Sequence, residues 1–305
     1  MSYNPTNVYD VDPHVAEVYD QSETYHDDVD LIVSLLTPIP GENAQIYGLY
    51  PPSRPVLRGE KGGRGDERGS YIRILEPFCG TGRILISLAQ AGHTLVGLDQ
   101  AAGMLERARQ KLARLPEAVQ GRVTLRQADV IADEWPAGFD LVILGGNCLY
   151  ELATPEEQER VIRSAAASLN PGGYVYVDND HMEGDLVPSW QQPGARLGFP
   201  TGVCADGARV ESTIETIWYD APARLVKFRR NTHIELPSDS PTHGQVIEAE
   251  YIQQKHPVSF GEVQAWLERY GFSIEKTFGD FAWNPYTPAS ERAIFWARKY
   301  PGDGS

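Results

Sequence analysis

From residue 71 to 178 the chain repeats one rhythm, a short apolar run followed by a stretch with helical spacing, and this constrains the fold more than any other feature. Strands separated by helices cannot pair as hairpins, so they lie parallel and carry the helices on the sheet faces. The rhythm predicts strands over 71–76, 94–98, 123–127, 139–144 and 174–178. Helices are predicted over 82–91, ended by Gly92, and over 101–115, where Met104, Leu105, Ala108 and Leu112 share one face. A third runs over 155–169. It opens with Thr154 and Glu157 as a capping box and Pro155 at the first helical position, and Asn170, Pro171 and Gly172 turn the chain after it.

On the N-terminal side, helices are predicted over 13–20 and 27–36, the second with Val29, Ile32, Val33 and Leu36 on one face, together forming a lid or flank. The segment 37–70 shifts to Pro, Gly, Arg and Lys, and RGEKGGRGDERGS at 58–70 has no apolar periodicity and reads as a mobile loop. Its interleaved acids and lack of aromatics argue against a Gly/Arg segment that stacks on RNA bases. Beyond residue 178 the rhythm breaks. Segments 210–219, 225–236 and 245–254 alternate with no helix between them, as in Val226, Phe228, Arg230, Thr232 and Ile234, and predict an inserted antiparallel sheet. A capping box at Ser259 and Glu262 then opens a helix carrying Val263, Trp266, Leu267 and Tyr270, and strands over 272–278 and 293–299 follow. The resulting division is an N-terminal flank and loop (1–70), a ligand-binding core (71–180), an inserted sheet expected to roof the substrate pocket (181–258) and a C-terminal completion of the core (259–305). Edge strands of the insert offer a surface for a homodimer.

At 305 residues and 41% hydrophobic content the chain can bury a sizeable core. Its formal net charge of -15 opposes a phosphate backbone, so nucleic acid is not an expected partner. Cys79, Cys148 and Cys204 are scattered and never in a CxxC spacing, which predicts neither a disulfide framework nor a metal site. The chain shows no basic-then-apolar leader and no run near the roughly 18 apolar residues of a membrane span, so the expected setting is cytoplasmic, without membrane contact.

The chemistry is concentrated at the first strand-to-helix turn. Gly80 and Gly82 let backbone approach a ligand closely there, although glycines at such a junction are more often only a turn. Asp99, at the end of the second strand, strengthens the binding reading, because a carboxylate roughly 20 residues beyond the glycines can accept both ribose hydroxyls of a nucleoside. A dinucleotide fingerprint asks for a third glycine where this chain has Leu85, which disfavours NAD and FAD.

With Glu76, Gly80 and Gly82 in an acidic-x-x-x-Gly-x-Gly pattern, the chain resembles the class I S-adenosylmethionine (SAM)-dependent methyltransferases, over 71–178 and again over 260–299. The resemblance implies an α/β, Rossmann-like fold with a seven-stranded, mostly parallel sheet, SAM as cofactor and S-adenosylhomocysteine as product. It further implies that Asp99 holds the ribose, with Gln100 and Arg83 beside it, and that Met104 packs near the adenine. Ala128, Asp129 and Val130 would hold the adenine edge, while Gly145, Gly146 and Asn147 bring backbone to the cofactor's ammonium. Phe78 departs from the family, many of whose members have glycine there. Tyr19 and Tyr25 are candidates for a lid over the cofactor.

The chain lacks the Asn/Asp-Pro-Pro-Tyr/Phe motif of enzymes that methylate base amino groups or glutamine, so the resemblance implies a small-molecule acceptor. Gly146 and Asn147, with the insert, are most similar to the glycine N-methyltransferase and amino-sugar N-methyltransferase type. The glycine enzymes anchor the substrate carboxylate with an arginine after the fifth strand, where this chain reads Asp178, Asn179, Asp180 and His181. The expected acceptor is therefore amine-bearing, held by Asn147, Asp178, Asp180 and Trp190, with His181 and Tyr150 as catalytic candidates and Trp218 in an aromatic wall. The plain alternative makes Asp178 and Asp180 solvated loop residues and His181 a surface histidine. Two other functions compete: O-methylation of a small acid or alcohol, and a non-catalytic SAM or S-adenosylhomocysteine sensor or scaffold.

Overall fold

A computed structural model describes residues 8–37, 71–182, 188–191, 194–237 and 245–301; the loop at 58–70 lies outside these. At the centre of the main sheet is β1 (Arg73–Pro77), with β2 (Thr94–Asp99) and β3 (Val123–Gln127) to one side and β4 (Phe139–Leu144) and β5 (Leu169–Asp180) to the other. These five strands run parallel. Two antiparallel strands, β11 (Phe272–Phe278) and β12 (Arg292–Lys299), finish the sheet in the order β11-β12-β5-β4-β1-β2-β3. The chain steps outward from β1 to β3, then returns to lay β4 on the other flank of β1. At that reversal the loops after β1 and β4 diverge and leave a crevice at the carboxyl ends of the strands, where α/β sheets bind ligands.

Helices cover both faces because 141–144 of β4 and 174–177 of β5 are apolar and buried on both sides. On one face α2 (Asp27–Leu36) and α3 (Arg83–Gln90) pack Ile32, Leu35, Ile84 and Leu88 against Tyr174, Tyr176 and Trp296. On the other, α6 (Pro155–Ser168) and α8 (Phe260–Arg269) pack Val161, Ile162, Val263 and Trp266 against Val142, Val175 and Phe295. Of the two capping boxes read from the sequence, the one at Ser259 is complete, whereas at Thr154 the Glu157 carboxylate accepts the Ala153 amide in place of the Thr154 amide. Thr154 Oγ1 accepts from the Glu157 amide, while Ser259 and Glu262 bond reciprocally. Between these, α4 (Ala102–Leu112) stops short of residue 115 because Leu115 precedes Pro116, whose ring disfavours helical backbone before it; a single turn, α5 (Glu117–Gln120), follows. Strand β5 begins five residues earlier than the sequence suggested, since Leu169 already pairs with Phe139 before a register shift.

The remaining strands form a separate antiparallel sheet, as the alternation predicted. Its members are β6 (Ala195–Leu197), β7 (Gly202–Val203), β8 (Arg209–Asp220), β9 (Leu225–Glu235) and β10 (Val246–Lys255), in the order β10-β9-β8-β6 with β7 also on β8. The short β6 and β7, and the one-turn α7 (Pro188–Gln191), carry too few residues for a legible period. The inner face of this sheet packs Val210, Ile234 and Tyr251 against Val15 and Val18 of α1 (Pro13–Ser22). The N-terminal helix is thus held between insert and core, and all three border the crevice. Among the described residues no helix is long and apolar enough to cross a membrane.

Candidate functional site

The turn after β1 is built from left-handed residues: Phe78 at φ +63°, Gly80 at +52° and Gly82 at +77°. A β-carbon on Gly80 would lie 3.6 Å from Met104 Cε, so the conformation rather than space demands glycine. Phe78 adopts the same region without that freedom, at about 1–2 kcal/mol of strain. The tight turn is fastened by Asp99. One carboxylate oxygen accepts the Gly80 amide and the other the Ala101 amide, each at 2.8 Å. Burial pushes this carboxyl up to about 6, against those two amides. With both oxygens oriented and further lone pairs available, Asp99 is a fixed acceptor at the crevice.

Glu76 lies beneath the turn, 5% exposed, and its Oε2 has no partner. Burial pushes the carboxyl up to about 8; Asp28 and Asp99 add to the rise, and Arg83 and the Leu85 amide oppose it. A buried, unpartnered carboxyl on a cavity wall suits a cationic donor from a ligand.

The N-terminal helices are strapped onto this turn. Arg83, the first residue of α3, forks onto the fully buried Asp28 with both bonds at 2.6 Å, donates to the Tyr25 carbonyl at 2.9 Å, and stacks 4.0 Å over the Tyr25 ring. Asp20 of α1 accepts from Thr81 Oγ1, Lys111 and Arg107. These ties bring Tyr19 and Tyr25 to the cavity wall as the sequence predicted, with Tyr19 edge-on to Tyr9 and Phe199. Arg83 also borders the cavity, but its guanidinium is committed to Asp28 and Tyr25.

After β4 the chain passes through Gly145, Gly146 and Asn147, the last two left-handed at φ +62°, into a 3-10 turn at Cys148–Glu151. The Asn147 side chain is spoken for: Oδ1 accepts the Asp180 amide at 2.7 Å and Nδ2 donates to Asp180 Oδ2 at 3.1 Å. The expectation that its amide binds substrate is therefore corrected; Asn147 shapes the wall and its side chain braces β5.

The cavity measures about 570 Å³. Gln100, Met104, Asp129, Val130, Asp180 and Trp190 reach it as expected. Asp129 also caps its own turn, accepting the Ile131 and Ala132 amides at 2.8 and 3.0 Å. Five predicted residues do not form the wall. Gly82 caps α3, and Ala128 lies behind, its amide bonded to the Asp99 carbonyl at 2.9 Å. Asp178 is fully buried and ion-paired to Arg292 at 2.7 Å, so it is not a substrate ligand. His181 packs edge-on against Tyr286, outside the cavity, its ring turned away from the wall that its neighbours Asp180 and Met182 line. Tyr150 does line the wall, with its hydroxyl donating to the Asp180 carbonyl. Trp218 is 43% exposed on the insert, beside Lys227, and does not contribute.

The insert supplies a wall of the cavity, but sequence reasoning did not name the residues that form it. Tyr251, Gln253 and Lys255 of β10 face Glu151, whose carboxylate takes Lys255 Nζ at 2.9 Å and Gln253 Nε2 at 3.0 Å. Burial works against that carboxylate, but Lys255 and Arg230 hold it below its usual range. The alternation of β10 marked a strand, and nothing local said which chain segment its end would face. The hydroxyls of Tyr9, Tyr19, Tyr25 and Tyr251 are pushed up by burial, which suits them to donate hydrogen bonds and not to act as bases.

Residues 74–173 match the family model described as a methyltransferase domain. A ubiquinone biosynthesis O-methyltransferase of Idiomarina loihiensis is 30% identical over 121 residues, 39% of this chain and 45% of that protein. The chain thus spans about half the length of the curated relatives it matches. Among solved structures, the CcbJ methyltransferase of Streptomyces caelestis aligns over 97% of this chain and 99% of its own at a TM-score of 0.61 and 17% identity. The sugar N-methyltransferase KedS8 of a Streptoalloteichus species aligns over 98% and 99% at 0.57 and 16%. The sheet order around the methyltransferase domain, and its likeness to these structures, is the Rossmann-like fold of class I SAM-dependent methyltransferases, with the antiparallel sheet as a separate unit.

Proposed function

We propose that the protein transfers a methyl group from SAM to a nitrogen of a small, amine-bearing metabolite. The observation that carries this reading is the charge of the cavity wall: Glu23, Asp99, Asp129, Glu151 and Asp180 stand against Arg83 and Lys255, with the raised Glu76 carboxyl ready to ionise beside a cation. SAM supplies an electrophilic methyl on a sulfonium, and an acidic wall favours that cation and an amine while disfavouring a carboxylate acceptor. Glu76 would take the cofactor's ammonium, Asp99 its ribose hydroxyls, and the 145–147 backbone its amino-acid end. The insert strand β10, Trp190 and Phe199 would close the acceptor side and exclude water.

No histidine stands among the described wall residues, Glu151 is held ionised at low pH, and the tyrosines are poor bases. Such a wall aligns a nucleophile that brings its own lone pair, as a neutral amine does, and does little to deprotonate an alcohol. The O-methyltransferase relative keeps a second reading in view, O-methylation of an acidic hydroxyl. A homodimer through the edge strand β10 and a cytoplasmic setting complete the proposal.

Incubating the protein with SAM and a panel of amines, alcohols, phenols and acids, with mass spectrometry of the products, tests it. Methylated amines are the expected product, with a rate that follows each amine's own ionisation. Transfer only to oxygen would replace the nitrogen reading. Tight S-adenosylhomocysteine binding with no transfer to any of them would make the protein a sensor or scaffold.

A further inference from the structure

Arg292 opens β12, near the opposite end of the chain from the Gly80 turn, and its guanidinium lies 4.7 Å over the Phe281 ring. From there it reaches three side chains on two segments. Nε and Nη2 meet Asp178 Oδ1 at 2.8 and 2.7 Å, Nη1 meets Asp180 Oδ1 at 2.6 Å, and Nη2 reaches Asn147 Oδ1 at 3.2 Å. The loop after β4 is tied to the same cluster through its backbone. The Gly146 amide donates to Asp178 Oδ2 at 3.4 Å, and the Asn147 amide to the Asp178 carbonyl at 3.2 Å. Asn147 in turn exchanges two bonds with Asp180, holding its left-handed backbone in place. Bonds that set the loop against β5 therefore converge on one arginine, which lies outside the 74–173 domain and is not part of the cavity wall.

The geometry points to Arg292 as a positioning residue, acting through Asn147 and Asp180 to set the loop that faces the cofactor's amino-acid end and the carboxylate that faces the acceptor. This inference rests on the methyl-transfer reading above. An arginine suits the task because its planar fork meets two carboxylates and an amide oxygen that diverge, whereas the single ammonium of a lysine cannot hold all three directions. Asp178 is fully buried and faces Arg292 and Asp180, Asp28 with its partner Arg83, and Cys148, Tyr25 and Tyr176. Without Arg292, raising the pH ionises a buried carboxylate beside two other acids, and the loop loses its anchor.

Calorimetry of S-adenosylhomocysteine binding to the full chain tests this. Arg292→Met is expected to raise Kd about tenfold or more at neutral pH, the scale of charged hydrogen bonds lost. The ratio of variant to wild-type Kd should grow as pH rises above about 6, as Asp178 ionises. Adding Asp178→Asn to Arg292→Met should flatten that ratio and recover affinity, and Arg292→Lys should fall between. A merely structural ion pair would lower the melting temperature and leave the Kd of the folded protein unmoved, which would overturn the inference. So would a pH-dependent loss that Asp178→Asn does not correct. If Arg292→Met does not fold, the comparison of Arg292→Lys with the double variant carries the same two outcomes. Failure of the wild-type protein to bind S-adenosylhomocysteine or SAM would instead overturn the cofactor reading itself.

Discussion

Cofactor binding is expected to release a proton, and Glu76 is its source. Burial pushes its carboxyl up to about 8, so at pH 7 it is about nine-tenths protonated. A ligand ammonium set against Oε2 supplies the missing partner and draws the group down into the ionised form. Binding at pH 7 should then release about 0.9 proton through Glu76, falling to about 0.1 near pH 9. Affinity for S-adenosylhomocysteine should rise by up to about tenfold per pH unit below 8 and level off above it. Titration calorimetry in buffers of differing ionisation enthalpy measures the proton count directly. Glu76→Gln, which mimics the neutral form, should lose this component; the ligand's own amine titrates in both proteins, so the difference isolates Glu76. The ligand-free fold gives an independent check. A carboxyl whose folded pKa lies above its unfolded value stabilises the fold at low pH and loses that contribution as pH rises through the folded value. The wild type should therefore weaken relative to Glu76→Gln by about 1.4 kcal/mol per pH unit between roughly 4.5 and 8. Equal proton release by wild type and Glu76→Gln would refute the reasoning.

Other expectations follow from the same geometry. Arg83→Met leaves Asp28 charged and fully buried, so chemical denaturation should show a loss of about 3–5 kcal/mol, and Asp28→Asn in that background should recover much of it. His14 bridges Asp12 and Asp206 between α1 and the insert. Burial works against charging its ring, but the two carboxylates outweigh this and raise its pKa, so its contribution is present below about 6.5 and lost as pH rises through the folded value. The stability difference between wild type and His14→Gln, read by thermal melts, should shrink over that window. His181→Ala should leave turnover and its pH profile unchanged, since the ring packs on Tyr286 outside the cavity; a lost basic limb in the profile would restore it as a base.

The order of strands and helices from β1 to β5 was legible because each element carries its own signal: buried apolar runs, capping boxes at Thr154 and Ser259, and glycines where the backbone turns left-handed. The cofactor side of the cavity was legible for the same reason. Gly80, Asp99, Asp129 and Gly145 each sit at the end of a strand, and a parallel sheet brings strand ends together regardless of what the rest of the chain does. Asp178 and His181 were misplaced because one residue more or less of strand decides which face a side chain meets. Here Asp178 turns inward to Arg292, and the His181 ring turns to Tyr286 while Asp180 and Met182 on either side of it line the cavity.

The acceptor side belongs to tertiary structure. Glu151 meets Lys255 across 104 positions of sequence, Asn147 meets Arg292 across 145, and Tyr9 and Phe199 converge on Tyr19 from either end. Local patterning determined that these segments are turn, strand and helix, since periodicity is written within one segment. Which segments face one another depends on how the insert docks on α1 and how β12 closes the sheet, and those contacts exist only once the chain has folded.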